Sequence, residues 1–304
     1  MIFEHRPIAR ATAFIVLSSC CFGSLTTLTV FITRSGLPLL PAMLWRYLLA
    51  FLMLAALVRK SRPFQIEPRR AIRLVIVGGC GQAVITYFSL LALDYLPVGP
   101  LAFLFYTYPA WVAVLAAVTG KEELTLVRLI ALCIAMAGIT VMVGTPFSEP
   151  LNTTGVMLAL GTALLYALYV PALHKAQKGV PTLVAAFYMI IGVMISFFVA
   201  GLATGGLVIP QTIFVWALLL TLSLVGTVIA FLALMSGLRI LGPVRTSIMA
   251  TIEPFFTAVL GVIALGEKFT FTLLSGGALI AGAVILLQWS GRARRETEPA
   301  MESG

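Results

Sequence analysis

Glu253 stands directly before Pro254, deep inside the apolar run 243–264. An ionisable side chain in such a run is costly to bury in lipid and marks a functional site by default. Proline has no N–H, so Pro254 cannot donate to the carbonyl one turn back, at Ala250. A helix broken in this way exposes dipole ends and backbone acceptors, the usual means by which polar solutes are held within a membrane. Thr246, Met249, Ala250 and Thr257 share the face of Glu253 at helical spacing and make a mildly polar stripe. Two chemistries are open to Glu253: holding an ammonium group or exchanging a proton. The plainer alternative is a structural carboxyl that hydrogen-bonds a neighbouring helix.

Aromatic residues gather around a second break of the same kind. The segment Phe103-Leu104-Phe105-Tyr106-Thr107-Tyr108-Pro109-Ala110-Trp111 is too rich in rings for all to face one way. Rings facing a cavity, Tyr106 or Tyr108 among them, would stack on flat apolar groups or hold an ammonium by cation–π attraction. Tyr166 and Tyr169, with Pro171 after them, repeat the theme. Gln82, Thr86, Tyr87, Ser24 and Thr27 add uncharged polar groups, and together the set describes a moderately polar cavity with aromatic walls. Arg46, inside another apolar run, is expected to fix helix packing, with attraction of a substrate carboxylate as the alternative. His5 and His174 lie at a tail and a helix end. No Ser/His/Asp set, carboxylate dyad or metal-ligand spacing occurs, so neither catalysis nor a metal or other cofactor is expected. Gly78-Gly79-Cys80-Gly81 lacks the Gly-Lys-Ser/Thr ending of a phosphate-binding loop. Cys20, Cys21, Cys80 and Cys133 fall within apolar runs, as small packing residues do.

The elements that position these residues follow from composition. The chain is 61% hydrophobic and 10% charged, with a mean hydropathy of +1.08. A helix needs roughly 20 apolar residues to cross a bilayer. Ten such stretches can be drawn, near 11–32, 39–58, 73–93, 98–118, 127–145, 152–173, 181–203, 212–236, 243–264 and 272–290. They leave no room for a soluble catalytic domain, and their continuous apolarity excludes a β-barrel. The first stretch is expected to stay in place rather than be cleaved, since Cys20-Cys21-Phe22-Gly23 offers no small-x-small site. The net charge of +9 is distributed by topology and does not form a nucleic-acid patch. With the N-terminus in the cytoplasm, nearly all basic residues fall on that side, in particular Arg59, Lys60, Arg62, Arg69, Arg70 and Arg73, and Arg292, Arg294 and Arg295. Arg34 and Lys268 go outside. The positive-inside rule therefore puts both termini in the cytoplasm and favours an even helix count.

The sequence also repeats. At a constant offset of 145, residues 87–143 align with 232–288: Leu96 meets Leu241, Pro109 meets Pro254, and Ala113-Val114-Leu115 meets Ala258-Val259-Leu260. Glu122 meets Glu267, Thr125 meets Thr270, and Leu129 meets Leu274. Tyr108 thus takes the place that Glu253 holds in the other half. The first two helices of each half match weakly, with Gly36-Leu37-Pro38 answering Gly179-Val180-Pro181. The expected organisation is a five-helix repeat at 1–145, an extracytoplasmic linker at 146–152, a second repeat at 153–291 and a disordered cytoplasmic tail at 292–304. Five crossings are odd, so the second repeat is inverted, and two inverted halves usually enclose a path between them. Ala131 and Ala135, then Gly277 and Ala281, make small-residue faces that serve packing within the monomer or, alternatively, a dimer surface.

These pieces resemble the EamA-type members of the drug/metabolite transporter superfamily. The resemblance is carried by Trp45-Arg46-Tyr47-Leu48-Leu49-Ala50, Ala92-Leu93-Asp94-Tyr95-Leu96, Tyr108-Pro109 and Glu253-Pro254. It is carried as well by the Gly-Glu turns Gly120-Lys121-Glu122-Glu123-Leu124-Thr125 and Gly266-Glu267-Lys268-Phe269-Thr270. It covers nearly the whole chain, and its motifs are scaffold. Within the superfamily the chain is similar to bacterial inner-membrane amino-acid and metabolite exporters, the aromatic amino-acid exporters among them. The resemblance implies an all-α, ten-helix protein of that membrane. It implies a central cavity walled by helices 1, 3, 4, 6, 8 and 9, with helices 5 and 10 peripheral. It also implies alternating access for small amino acids and related metabolites, with bending points at Pro109 and Pro254. Both orientations occur in one chain, so a monomer suffices, with a dimer as the alternative. Lipophilic cations or drugs are the rival substrate class, and a membrane receptor without flux is the rival from another class.

Overall fold

The computed structural model describes residues 6–60, 66–92, 94–96, 98–120, 125–143, 151–204, 208–266 and 268–297. These residues are helical or lie in the short connections between helices, and no strand occurs among them. Eight helical segments are long and apolar enough to cross a membrane, and two shorter apolar helices, Leu126–Met142 and Glu253–Leu265, bring the crossings to ten.

In the first half, α1 (Arg6–Arg34) and α2 (Leu39–Lys60) make the first two crossings. The third is composite: α3 (Pro68–Arg73), a π-helical segment Leu74–Cys80, and α4 (Gly81–Ala92). The fourth is α5 (Val98–Phe105) followed by α6 (Tyr108–Val118), and the fifth is α7 (Leu126–Val143). The second half follows the same plan. α8 (Thr153–Ala176) and α9 (Thr182–Ala203) are succeeded by a composite crossing of α10 (Ile213–Ser223), a π-helical segment Leu224–Ile229 and the start of α11 (Ala230–Ala250). Gly242, at φ 76°, breaks α11, so residues 243–250 turn back and join α12 (Glu253–Leu265) as the ninth crossing. The last is α13 (Phe271–Thr297).

Small local devices recur at equivalent places. The turns after α1 and α8 each carry a left-handed glycine, Gly36 and Gly179, as do those after α6 and α12, Gly120 and Gly266. A side chain with a β-carbon is strained in that conformation, so glycine sets these chain reversals. Thr125 Oγ1 accepts from the Arg128 amide at 3.4 Å and Thr270 Oγ1 from the Leu273 amide at 3.2 Å, capping α7 and α13 alike. Glu122 and Glu267 lie outside the described residues.

The halves interlock. α1 packs on α11 and α12, while α8 packs on α4, α5 and α6. α2 crosses α9, and α7 pairs with α13. Each half's first helix is thus seated in the other half's third and fourth crossings. Lipid offers little hydrophobic drive for helix association, so close backbone approach has to supply the contact. It does so at glycines. A β-carbon added at Gly79 would sit 2.4 Å from the Cα of Gly192, and one at Gly192 would sit 2.2 Å from the Val75 carbonyl oxygen. Gly138 and Gly276 meet each other across α7 and α13, and Gly237 meets Ile15 of α1. Ala131 and Ala135 are fully buried, and Gly277 meets the Phe255 ring, so these small-residue faces serve packing inside the chain.

Three boundaries differ from the sequence-based expectation. The third crossing starts at Pro68, earlier than residue 73, because Pro68 is well placed at a first helical turn. Asn152, expected in the linker, caps α8 by accepting from the Thr154 amide at 2.9 Å and the Gly155 amide at 3.3 Å. α13 continues to Thr297 through residues expected to be disordered, since Arg-Ala-Arg-Arg-Glu is made of good helix formers. Residues 144–150 and 298–304 lie outside the described residues.

Candidate functional site

The fourth and ninth crossings are both broken near their middle. α5 stops at Phe105 and α6 starts at Tyr108; residues 243–250 stop at Ala250 and α12 starts at Glu253. The gaps, Tyr106-Thr107 and Thr251-Ile252, are equivalent in the repeat. Pro109 and Pro254 follow each break and sit in the first turn of the new helix, where the missing N–H costs nothing. Neither proline can donate to the carbonyl one turn back, and that missing bond is the local reason for the breaks.

The breaks meet. Tyr106, in the first gap, lies with its side chain within interaction reach of Glu253, the first residue after the second gap. Tyr108, opening α6, donates from its hydroxyl to the Ser247 carbonyl at 3.4 Å. Aromatic rings close around this junction. Tyr166 packs edge-on to Tyr108 with centroids 4.7 Å apart and lies 5.7 Å from Tyr169. Phe105 touches Tyr106, Tyr108 and Tyr166. Tyr106, Tyr108 and Tyr169 are buried, whereas Glu253 and Tyr166 keep partial exposure. Between Tyr108, Tyr166, Tyr169, Thr246, Ser247 and Ala250 is a cavity of about 10 Å³, room for about one water molecule. The Thr246 hydroxyl on its wall has no hydrogen-bond partner among the described residues, although it is 1% exposed. A buried hydroxyl left unpaired is costly, so this one is a ready contact for a water or a solute's polar group.

The other expected site residues are placed unequally. Gln82 and Thr86, on α4, are half-buried; Thr86 donates to the Gln82 carbonyl at 2.9 Å and lies 3.5 Å from the Gln82 amide nitrogen. Tyr87, one residue on, is 59% exposed with its ring against Phe88, and it stands apart from the buried tyrosine cluster. The reason is angular: one residue along a helix rotates the side chain by about 100°. Ser24 donates to the Cys21 carbonyl of its own helix at 2.7 Å, and Thr27 is buried on α1. α1 reaches the ninth crossing at Gly23, where a β-carbon would sit 2.9 Å from the Thr257 amide nitrogen.

Arg46 and Tyr169 do matching work on the π-helical segments, a role that their sequence contexts do not announce. A π segment shifts the hydrogen-bond ladder and leaves carbonyls poorly served. Arg46, buried on α2, donates from Nε to Thr227 Oγ1 at 2.7 Å and from a terminal guanidinium nitrogen to the Gly226 carbonyl at 3.0 Å. Its guanidinium also lies 4.9 Å from the Tyr47 ring centroid. Tyr169, on α8, donates to the Gly78 carbonyl at 3.0 Å. Each half therefore supplies one side chain that ties down the other half's π segment. Gly78 and Gly79 belong to this packed crossing and not to a phosphate loop. The glycines themselves were the one available signal, since glycine in an apolar run allows both close approach and local re-registering of the helix.

Comparison with known proteins agrees with this architecture. The profile of the EamA-like transporter family matches the chain twice, over residues 9–144 and 153–289. An uncharacterized transporter of Archaeoglobus fulgidus is 27% identical over 285 residues, 92% of this chain and 97% of the relative. The uncharacterized transporter YvbV of Bacillus subtilis is 24% identical over 211 residues, 67% of this chain and 68% of the relative. A protein of known crystal structure is similar in fold at a TM-score of 0.78 and 18% identity, covering 91% of this chain and 97% of its own.

Proposed function

The chain belongs to the EamA-like transporter family and is a multi-pass membrane protein, and on that premise we propose that it exports small neutral amino acids, aromatic ones included, and related metabolites by alternating access. The observation that supports this reading most is the junction of the two broken crossings at Tyr106 and Glu253. In this reading Glu253 and the faces of Tyr106, Tyr108 and Tyr166 hold the substrate's ammonium. The N-terminal ends of α6 and α12 supply positive dipole ends for a carboxylate. Thr246 offers one further hydroxyl.

The cavity beside Tyr108 is too small for an amino acid, so the reading requires α6 and α12 to swing at the breaks before Pro109 and Pro254. The cavity would then open to one face at a time. The two halves share geometry and differ in sequence, so the two gates would open at different cost. In proton antiport Glu253 would be the group that exchanges the proton; without it, transport is downhill. The proposed setting is a bacterial inner membrane with both termini cytoplasmic.

A second reading, export of lipophilic cations, is favoured by the same pairing of one acid with several rings. Protection against thermal unfolding separates the two readings. Phenylalanine and phenethylamine should protect the protein while phenylpropionate, which lacks the amine, should not. Protection by tetraphenylphosphonium alone would transfer the assignment to lipophilic cations, and protection by phenylpropionate alone would remove the role given to Glu253.

A further inference from the structure

A groove of about 390 Å³ opens between α1, α9 and α11, away from the central junction. Its wall is formed by Pro7, Phe14 and Ile240, with Thr182 and Ser236 between them. Two arginines, Arg10 and Arg239, complete it, and no acidic side chain lines it among the described residues. Arg239 is held in place by hydrogen bonds to the carbonyls of Val180 and Gln177, and Arg10 rests over the Phe14 ring at 5.5 Å. Both guanidinium groups are therefore positioned by neighbours that do not neutralise them.

The groove lies at the end of the molecule where basic residues collect. His174, at the end of α8, meets the Leu238 carbonyl beside it, and Lys178 stands within electrostatic reach of His174. Arg70, at the start of the third crossing, approaches Gly179. A bilayer leaflet facing this rim presents phosphodiester headgroups, and basic pockets between membrane helices bind anionic ones. Guanidinium groups suit phosphate because their planar forks can match two oxygens at once. The apolar wall discriminates between sources of that phosphate. Phe14 and the exposed Ile240 would cover the glycerol and first acyl methylenes of a lipid, and they have no use for a soluble ester.

We infer that this groove is a binding site for an anionic phospholipid of the phosphatidylglycerol type, its phosphate held between Arg10 and Arg239. Such a lipid would tie the start of α1 and the start of α9, from opposite halves, to the end of the eighth crossing. The inference does not depend on the transported substrate.

The test is thermal unfolding of the purified full chain in detergent, titrated separately with dioleoyl phosphatidylglycerol, dioleoyl phosphatidylcholine and glycerol phosphate. The wild type should be stabilised by phosphatidylglycerol at lower concentration than by phosphatidylcholine. Arg10→Gln should weaken the apparent phosphatidylglycerol affinity about fivefold, the worth of one surface arginine, while leaving the phosphatidylcholine response unchanged. Arg239 also holds the 177–180 turn, so the second variant is Ile240→Glu, which should abolish the preference by placing an acid on the wall. Equal responses to the two lipids in the wild type would overturn the site. So would a preference that survives both substitutions, and glycerol phosphate acting as well as the lipid would overturn the phospholipid assignment.

Discussion

At the scale of single residues, the proposed chemistry rests on Glu253 and on the tyrosines that lie beside it from the other half. Tyr106→Phe keeps the ring and removes the hydroxyl beside Glu253 that, in the proposed site, bonds the carboxylate. It should cost about 0.5–1.5 kcal/mol of substrate binding, a few-fold in Kd, if the carboxylate is held in place by that bond; isothermal titration with phenylalanine measures it. An unchanged Kd would show that Glu253 is positioned without Tyr106. The sequence marks Glu253 as a candidate because an ionisable group inside an apolar run is costly to bury, and the stripe through Thr246 follows from helical periodicity alone. The proline after Glu253 and the aromatic run likewise pointed to Tyr106 and Tyr108 as neighbours of a break. Tyr87 shows where that reasoning stops, since the period separates faces of one helix but does not say which face meets the junction. The pairing of Arg46 with Gly226 was out of reach for a different reason. It depends on a carbonyl that only a local change of helix type makes available.

At the scale of elements, two devices carry the architecture: helices interrupted before prolines, and crossings that close on glycine. Pro254→Ala restores an N–H that can donate to the Ala250 carbonyl and lets α11 run on into α12. Turnover should fall about tenfold if bending at this break limits the cycle, equivalent to about 1.4 kcal/mol of barrier, while substrate affinity stays near wild type. Comparison of counterflow rate with Kd reads the two effects apart. Equal turnover would mean that the break is a fixed feature of the site and not a moving part. For the glycine crossings, Gly192→Ala places a methyl group 2.2 Å from the Val75 carbonyl oxygen and should destabilise by roughly 1–3 kcal/mol. Gly161→Ala, where nothing lies within 4 Å, should be neutral or gain up to about 1 kcal/mol from helix propensity. Thermal unfolding of the two variants side by side checks the contrast. The interruptions could be read from proline, whereas the π segments at Leu74–Cys80 and Leu224–Ile229 could not. Apart from Gly78, Gly79 and Gly226 their residues are ordinary for an apolar helix, and glycine alone does not say where the register shifts.

At the scale of the whole molecule, the chain is two five-helix units that trade their first helices. The duplication was visible as a gapless internal alignment and in paired turns such as Gly36-Leu37-Pro38 and Gly179-Val180-Pro181. The interlocking was not, because a sequence repeat records what each half is and leaves open which half a given face packs against. The proposed orientation has a direct consequence. In a background without native cysteines, Lys178→Cys should react with a membrane-impermeant maleimide only from the cytoplasmic side, and Ser35→Cys only from the outside. The opposite pattern would invert the topology and reverse the direction assigned to transport. Passage of a solute through the junction of the two broken helices is best tested by counterflow. Liposomes carrying the purified chain are loaded with unlabelled phenylalanine, and entry of labelled phenylalanine is followed for the wild type and for Glu253→Gln. The wild type should accumulate label rapidly, and the folded variant should be slower by at least about tenfold, a loss of ~1.4 kcal/mol in transition-state stabilisation. Undiminished exchange in Glu253→Gln, or none in the wild type, would rule out transport through this junction as proposed.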